Sequence, residues 1–158
     1  IWKTNNMKIK IFLSDVDGVL TDGGMYYTEK GDEFKKFSCY DGMGMKLLQK
    51  KGFKVGILTS EDILINRNRA AKLSLDYDFH GIKNKYQFVK DFCENENVKM
   101  SEIAYVGDDI NCFELLSNVG IAACPENAIN KIKSIPNIII LKSSGGEGAF
   151  REFAELYL

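Results

Sequence analysis

The sequence predicts one α/β domain, a three-layer α/β/α sandwich around a mainly parallel sheet, on three observations. Apolar runs of strand length (Ile9–Leu13, Phe53–Leu58, Ile103–Val106) alternate with stretches of helical spacing, the pattern of crossover units. The runs break off in acids or a hydroxyl: Asp15 and Asp17, then Thr59, then Asp108 and Asp109. In a parallel sheet such ends share one edge, where open α/β folds bind their ligands. Finally, 158 residues at 45% hydrophobic content are enough for one substantial core.

Bulk properties exclude several classes. A net charge of −1 leaves no electrostatic footprint for nucleic acid or an acidic membrane. No apolar run is long enough to span a bilayer and no secretory signal is read, so a cytoplasmic location is expected. Cys39, Cys93, Cys112 and Cys124 are widely spaced without a C-x-x-C, and His80 is a lone histidine, which argues against a zinc cluster. Free thiols in a reducing compartment are expected. Ile1–Asn6 has no apolar periodicity and reads as a tag remnant or disordered lead-in, with Met7 a candidate start. A single domain is expected over 1–158, without repeat, linker or low-complexity stretch.

In order, the first strand ends at Asp15-Val16-Asp17-Gly18, where two acids close a run that reads as buried. A plain D-G turn is the simpler explanation, but it does not account for two carboxylates there. Met25–Tyr27 and Glu33–Phe37, flanking a turn, read as a β-hairpin. A helix is expected over Met43–Lys51 with Gly52 as its stop, then a strand over 53–59. The G-M-G at 42–44 lacks a third glycine and a preceding parallel strand, so it is no nucleotide loop. A helix over Asp62–Lys72 follows, capped by Asp62 or Ser60. Leu75–Phe79 is a short strand, Tyr86–Glu94 a helix, and Ile103–Val106 a buried strand ending in Gly107-Asp108-Asp109. A helix carries Phe113, Leu115 and Leu116, and Val119–Ala123 is a strand. Pro125 is expected to start a helix to about Lys133. Ile138–Leu141 is the last strand, and a helix runs from Ala149 to the end.

The segment S-D-V-D-G-V-L-T-D-G-G resembles the first motif of the haloacid dehalogenase superfamily in its phosphatase form, D-x-D-G-x-x-T. From about Lys8 onward the chain is similar to the small phosphatases of 8-phosphorylated 3-deoxy-octulosonate and 9-phosphorylated nonulosonates. The resemblance implies a Rossmann-like fold with the hairpin as a flap in place of a cap domain. It also implies roles. Asp15 is nucleophile and metal ligand. Asp17 is general acid, then base, and offers its backbone carbonyl to the metal. Asp108 is a further metal ligand, and Asp109 joins the metal shell or holds Lys85. Thr59 and Lys85 bind the phosphoryl oxygens; Lys85 is preferred over Lys83 because the family's lysine opens the following helix. Gly18 supports the first loop. Asp41, in a D-G-x-G-x-x-x-L segment, shapes the mouth of the site.

Electrostatics makes the same demand. A carboxylate attacking a phosphate dianion meets repulsion of ~4 kcal/mol per unit charge pair at about 4 Å and an effective dielectric of about 20. A hard divalent cation among carboxylates, with one lysine, cancels it. Oxygen-only ligands with open water positions point to Mg²⁺. One departure stands out: many relatives read G-D-D-x-x-D, and here Cys112 replaces the last acid. Metal binding is expected to survive, with weaker positioning of Lys85 and with Cys112 filling the helix-facing side of the site.

Specificity is expected from the flap, the second strand's loop and a neighbouring subunit. The resembling enzymes form tetramers whose G-G-x-G-x-x-R-E tail reaches the next subunit's site. Gly145–Glu152 matches that pattern, and the Arg151 fork suits a substrate carboxylate. Octulosonate phosphatases usually carry Arg where this chain has Glu61. The nonulosonate branch resembles this chain, with Glu there and a lysine matched by Lys72, so a 9-phosphorylated nonulosonate is the expected ester, with Glu61 pairing with Lys72 or an Arg of that helix. A second class, the oligomerisation appendage of sialic-acid-activating cytidylyltransferases, has lost catalytic residues that this chain keeps.

Overall fold

The fold is built outward from a four-residue strand that has no exposed side. In the computed structural model, which describes residues 8–31 and 33–158, β1 (Ile11–Ser14) is buried along its whole length. The expectations for Ile1–Asn6 and Met7, and the turn residue Asp32, lie outside the described residues. A hairpin of β2 (Tyr26–Tyr27) and β3 (Glu33–Phe34) follows, then α1 (Cys39–Lys50), β4 (Lys54–Leu58), α2 (Leu64–Lys72), β5 (Tyr77–Phe79) and α3 (Lys85–Glu96). A 3₁₀ turn at Met100–Glu102 leads into β6 (Ile103–Val106), and another at Ile110–Cys112 into α4 (Phe113–Leu116). The chain closes with β7 (Ile121–Cys124), α5 (Asn130–Lys133), β8 (Ile139–Ile140) and α6 (Ala149–Glu155).

The six-stranded sheet has the order β5-β4-β1-β6-β7-β8, and its strand pairs are parallel. The chain winds one way from β1 through β4 and the other way through β6, so the topological switch point lies at the carboxyl end of β1. Alternation along the strands divides the core. Phe12, Val55, Ile57 and Val106 face one layer with Met45, Leu48, Phe150 and Phe153 from α1 and α6. Ile11, Leu13, Ile103 and Tyr105 face the other, with Val89, Leu115 and Ile132 from the helices behind it. Among the described residues no cap domain stands over the active edge; the hairpin does, joined to the first loop by a bridge between Thr21 and Phe37.

Four element boundaries differ from the sequence reading. Helix α1 starts at Cys39, not Met43, because Ser38 accepts the Tyr40 N–H and caps it. Neither Asp62 nor Ser60 caps α2. Ile63 precedes it in extended conformation without a side-chain cap, and Asp62 pairs instead with Arg67. Pro125 opens a turn, and α5 is confined to Asn130–Lys133, because Asn127 is committed to loop contacts: it donates to the Gly18 carbonyl at 3.0 Å and accepts the Gly145 N–H at 2.6 Å. Helix α6 stops at Glu155, and Tyr157 turns inward against Phe12 with ring centroids 5.0 Å apart.

Candidate active site

Beyond the carboxyl ends of β1, β4 and β6 lies a cleft of about 280 Å³. Asp15 enters it directly from β1. Its N–H donates to the Val106 carbonyl at 3.0 Å, which pins it to the end of β6. The chain then tightens into a helical turn in which the Val19, Leu20 and Thr21 N–H groups converge on the Val16 carbonyl. Gly18 sits in this turn at φ +81°, and a Cβ there would collide with the Asp108 carboxylate. Glycine is thus required both by the backbone and by the approach of the second acid.

Asp15 and Lys85 form the buried centre. The Lys85 Nζ lies 3.0 Å from Asp15 Oδ2, with both residues almost fully buried. Lys85 is the first residue of α3, set there by Asn84, whose side chain accepts the Gln87 N–H. Lys83, two residues earlier, is exposed. A closed ring holds the pair: Lys85 donates to the Tyr105 hydroxyl (3.3 Å), Tyr105 to the Cys112 sulfur (3.1 Å), and the Cys112 thiol to Asp15 Oδ2 (3.1 Å). Burial is the largest influence on the Lys85 ammonium and would lower it, but the Asp15 charge together with the contacts to Asp15 and Cys112 leaves its pKa raised. Burial, then the nearby Asp15 charge, pushes the Cys112 thiol up to about 12. Cys112 is therefore a neutral donor, buried between Tyr105 and Asp15. Lys85 is oriented by Tyr105 and Cys112 rather than by Asp109, whose carboxylate accepts the Ile110 N–H and caps the 3₁₀ turn.

Around this centre the cleft is walled by Asp17, Thr59, Glu61, Asp108 and Asp109. Thr59 is buried at the end of β4, and its hydroxyl accepts the Glu61 N–H at 3.2 Å. Asp17 is paired with Lys35 of the hairpin at 2.7 Å. Asp108 is raised to about 7, first by burial and then by the Asp15 and Asp109 charges beside it. Donor atoms of Asp15, Asp108 and Cys112 lie within 4.8 Å of one another. The two carboxylates suit a hard cation, and the Asp15 and Asp109 charges that add to burial in raising Asp108 fit one; the protonated Cys112 thiol does not contribute.

Three expected site residues lie elsewhere in this chain. Asp41 is 2% exposed inside α1, where Oδ1 accepts the Arg151 N–H at 2.9 Å, and burial raises its carboxyl to about 6. Lys72, at the far end of α2 from Glu61, lines a groove with Phe34 and Lys35 of the hairpin; among the described residues no ion pair joins it to Glu61. Arg151 bonds Glu155 through Nε at 2.8 Å. The glycine loop before it packs on its own chain: the Gly146 N–H donates to the Val19 carbonyl at 3.1 Å. Sequence reasoning missed Lys35, Tyr105 and Asn127. A hydroxyl-bearing aromatic inside Ile103–Val106 was a usable signal for Tyr105, and alternation in the hairpin for Lys35. Asn127 had none.

Comparison with known proteins gives a consistent answer. A haloacid dehalogenase-like hydrolase family model matches residues 79–151. The 3-deoxy-D-manno-octulosonate 8-phosphate phosphatase of Haemophilus influenzae is 33% identical over 150 residues, 95% of this chain and 83% of that protein. Its Escherichia coli K12 counterpart is 31% identical, covering 95% and 79%. The crystal structure of the Moraxella catarrhalis phosphatase with magnesium, phosphate and KDO superposes with a TM-score of 0.89 at 30% identity, covering 94% of this chain and 84% of that one. The cobalt-bound Haemophilus influenzae structure gives 0.88 at 33% identity, covering 95% and 87%. On this similarity and this fold, the chain belongs to the 3-deoxy-D-manno-octulosonate 8-phosphate phosphatase family of haloacid dehalogenase-like hydrolases, and it is a phosphoric monoester hydrolase.

Proposed function

We propose that the protein is a Mg²⁺-dependent phosphomonoesterase that hydrolyses a phosphorylated 2-keto-3-deoxy sugar acid through an aspartyl-phosphate. The observation that carries this reading is the buried Asp15–Lys85 pair opening on a cleft walled by Asp17, Thr59 and Asp108. An Asp15 carboxylate oxygen attacks phosphorus while Asp17 protonates the departing alkoxide. Asp17 then takes a proton from the water that opens the aspartyl-phosphate. The Thr59 hydroxyl and the Lys85 ammonium bind the phosphoryl oxygens, and the lysine charge offsets part of the repulsion between two anions. Asp15, Asp108 and the Asp17 main-chain carbonyl would hold the ion, with Asp109 beside them. When bound, Mg²⁺ supplies the remaining positive charge that lets a carboxylate approach a phosphate dianion.

For the ester, the compared enzymes are named for octulosonate 8-phosphate. Glu61 in the cleft is the feature shared with the nonulosonate branch, and it supports a nine-carbon 9-phosphate as the preferred substrate. Arg151 and the exposed Lys72 are assigned to sugar-acid binding across a homotetramer, with Asp41 positioning the Arg151 backbone. The test is phosphate release, with Mg²⁺ and with EDTA, from KDN-9-phosphate, N-acetylneuraminate-9-phosphate, octulosonate-8-phosphate and hexose phosphates. Metal-dependent release concentrated on one sugar-acid ester supports the reading. Faster release from octulosonate-8-phosphate overturns the nine-carbon preference alone. No release from any ester by the folded protein overturns the activity and favours an oligomerisation role.

A further inference from the structure

Beside the Thr21–Phe37 bridge, three side-chain contacts are among those that fasten the hairpin to the rest of the chain. The Tyr26 hydroxyl bonds Asp22 and Lys36 pairs with Glu147, both at the exposed surface. The third is different in kind. Lys35 turns under the hairpin while its neighbours Phe34 and Lys36 face outward, its side chain is 1% exposed, and its ammonium ends 2.7 Å from Oδ1 of Asp17, a residue that lines the cleft. A lysine this buried needs a partner, and its partner is the residue to which the proton transfer has been assigned. The two exposed ties would hold the hairpin without it.

We propose that Lys35 is a positioning residue for Asp17, an inference that rests on the acid–base role given to Asp17 above. Among the described residues it is the one partner of that carboxylate, which is otherwise 30% exposed and free to rotate. With Oδ1 engaged by the ammonium, Oδ2 is the oxygen left to exchange a proton with the substrate. In the first step the P–O bond to the alkoxide breaks, the bond from an Asp15 oxygen to phosphorus forms, and the Oδ2 proton passes to the alkoxide oxygen. The new Asp17 carboxylate remains paired with Lys35. The acid is thus held by the flap, and flap placement and proton transfer are coupled.

Leaving-group dependence separates this role from simple fastening. An alkyl phosphate needs a proton at its leaving oxygen, whereas 4-nitrophenolate departs without one. Lys35→Met and Lys35→Gln are expected to slow the preferred sugar-acid ester at least about tenfold more than 4-nitrophenyl phosphate. Lys35→Arg is expected to recover most of the difference. Turnover of the nitrophenyl ester reports that the variant is folded and its centre assembled. Equal losses on both esters, or no loss, would overturn the proposal. Asp17→Asn is the reference: selective loss there without selective loss at Lys35 sinks the Lys35 role alone. Absence of selectivity in Asp17→Asn sinks the acid–base reading and this inference with it.

Discussion

Removing one partner of the Asp15–Lys85 pair is expected to cost far more stability than removing both. At 3.0 Å and an effective dielectric of about 20, the Coulomb attraction is about 5.5 kcal/mol. Desolvation of both charges offsets much of it, since both residues are almost fully buried. The asymmetry survives that offset. In Lys85→Met the Asp15 carboxylate stays buried without its cation, and in Asp15→Asn the ammonium stays without its anion. Each single change is expected to destabilise by roughly 3–5 kcal/mol, and the double variant by clearly less than the sum. The assay is urea unfolding of the four proteins in EDTA, so that no added cation replaces the lysine. A repeat in excess Mg²⁺ should narrow the deficit of Lys85→Met, because a cation bound to Asp15 substitutes for the missing charge. Single losses below about 1 kcal/mol, with additivity within about 0.5 kcal/mol, would refute the burial argument.

Two further outcomes follow from the titrating groups. Asp41, raised to about 6 chiefly by burial, holds its proton more tightly in the folded protein than in the unfolded chain. Its contribution is therefore fully present below about pH 4 and is lost as pH rises through 6, on the order of 3 kcal/mol across the window. Asp41→Asn should flatten that part of the stability curve, read as the difference in urea midpoints at pH 4 and pH 7; an unchanged difference would count against it. Among the cysteines, Cys39 is exposed while Cys93, Cys112 and Cys124 are buried, with Cys112 pushed up to about 12 and Cys124 to about 11. Thiol labelling of the native protein at neutral pH should therefore modify Cys39 quickly and the other three only on unfolding. Rapid native labelling of Cys112, located by peptide mass, would contradict the closed ring around Asp15.

The alternation of apolar runs and helical stretches already carried the architecture. Strands buried on both faces leave no polar alternation, and their abrupt endings in Asp15, Thr59 and Asp108 mark the active edge in the sequence itself. Boundaries were less legible where a side chain had a competing tertiary partner. Ser38 capped α1 four residues early, and Asn127 gave up a helix start to bridge Gly18 and Gly145. The site divides in the same way. Asp15, Asp17, Thr59, Glu61 and Asp108 share one cleft because parallel strands bring their carboxyl ends together, a consequence of order along the chain.

What sequence alone determined is the register of chemistry along the chain: which residue types end which strands, and hence the fold class and the family. Only the tertiary structure decided the partners. Lys85 rests on Tyr105 and Cys112 and not on Asp109, Asp17 is held by Lys35 from the flap, and Glu61 lies apart from Lys72 at opposite ends of α2. Those choices depend on distances between elements far apart in sequence, such as the 20 residues from Lys85 to Tyr105. Local propensity does not encode them. They are set when burial forces every charged or polar atom at the sheet edge to find a neighbour.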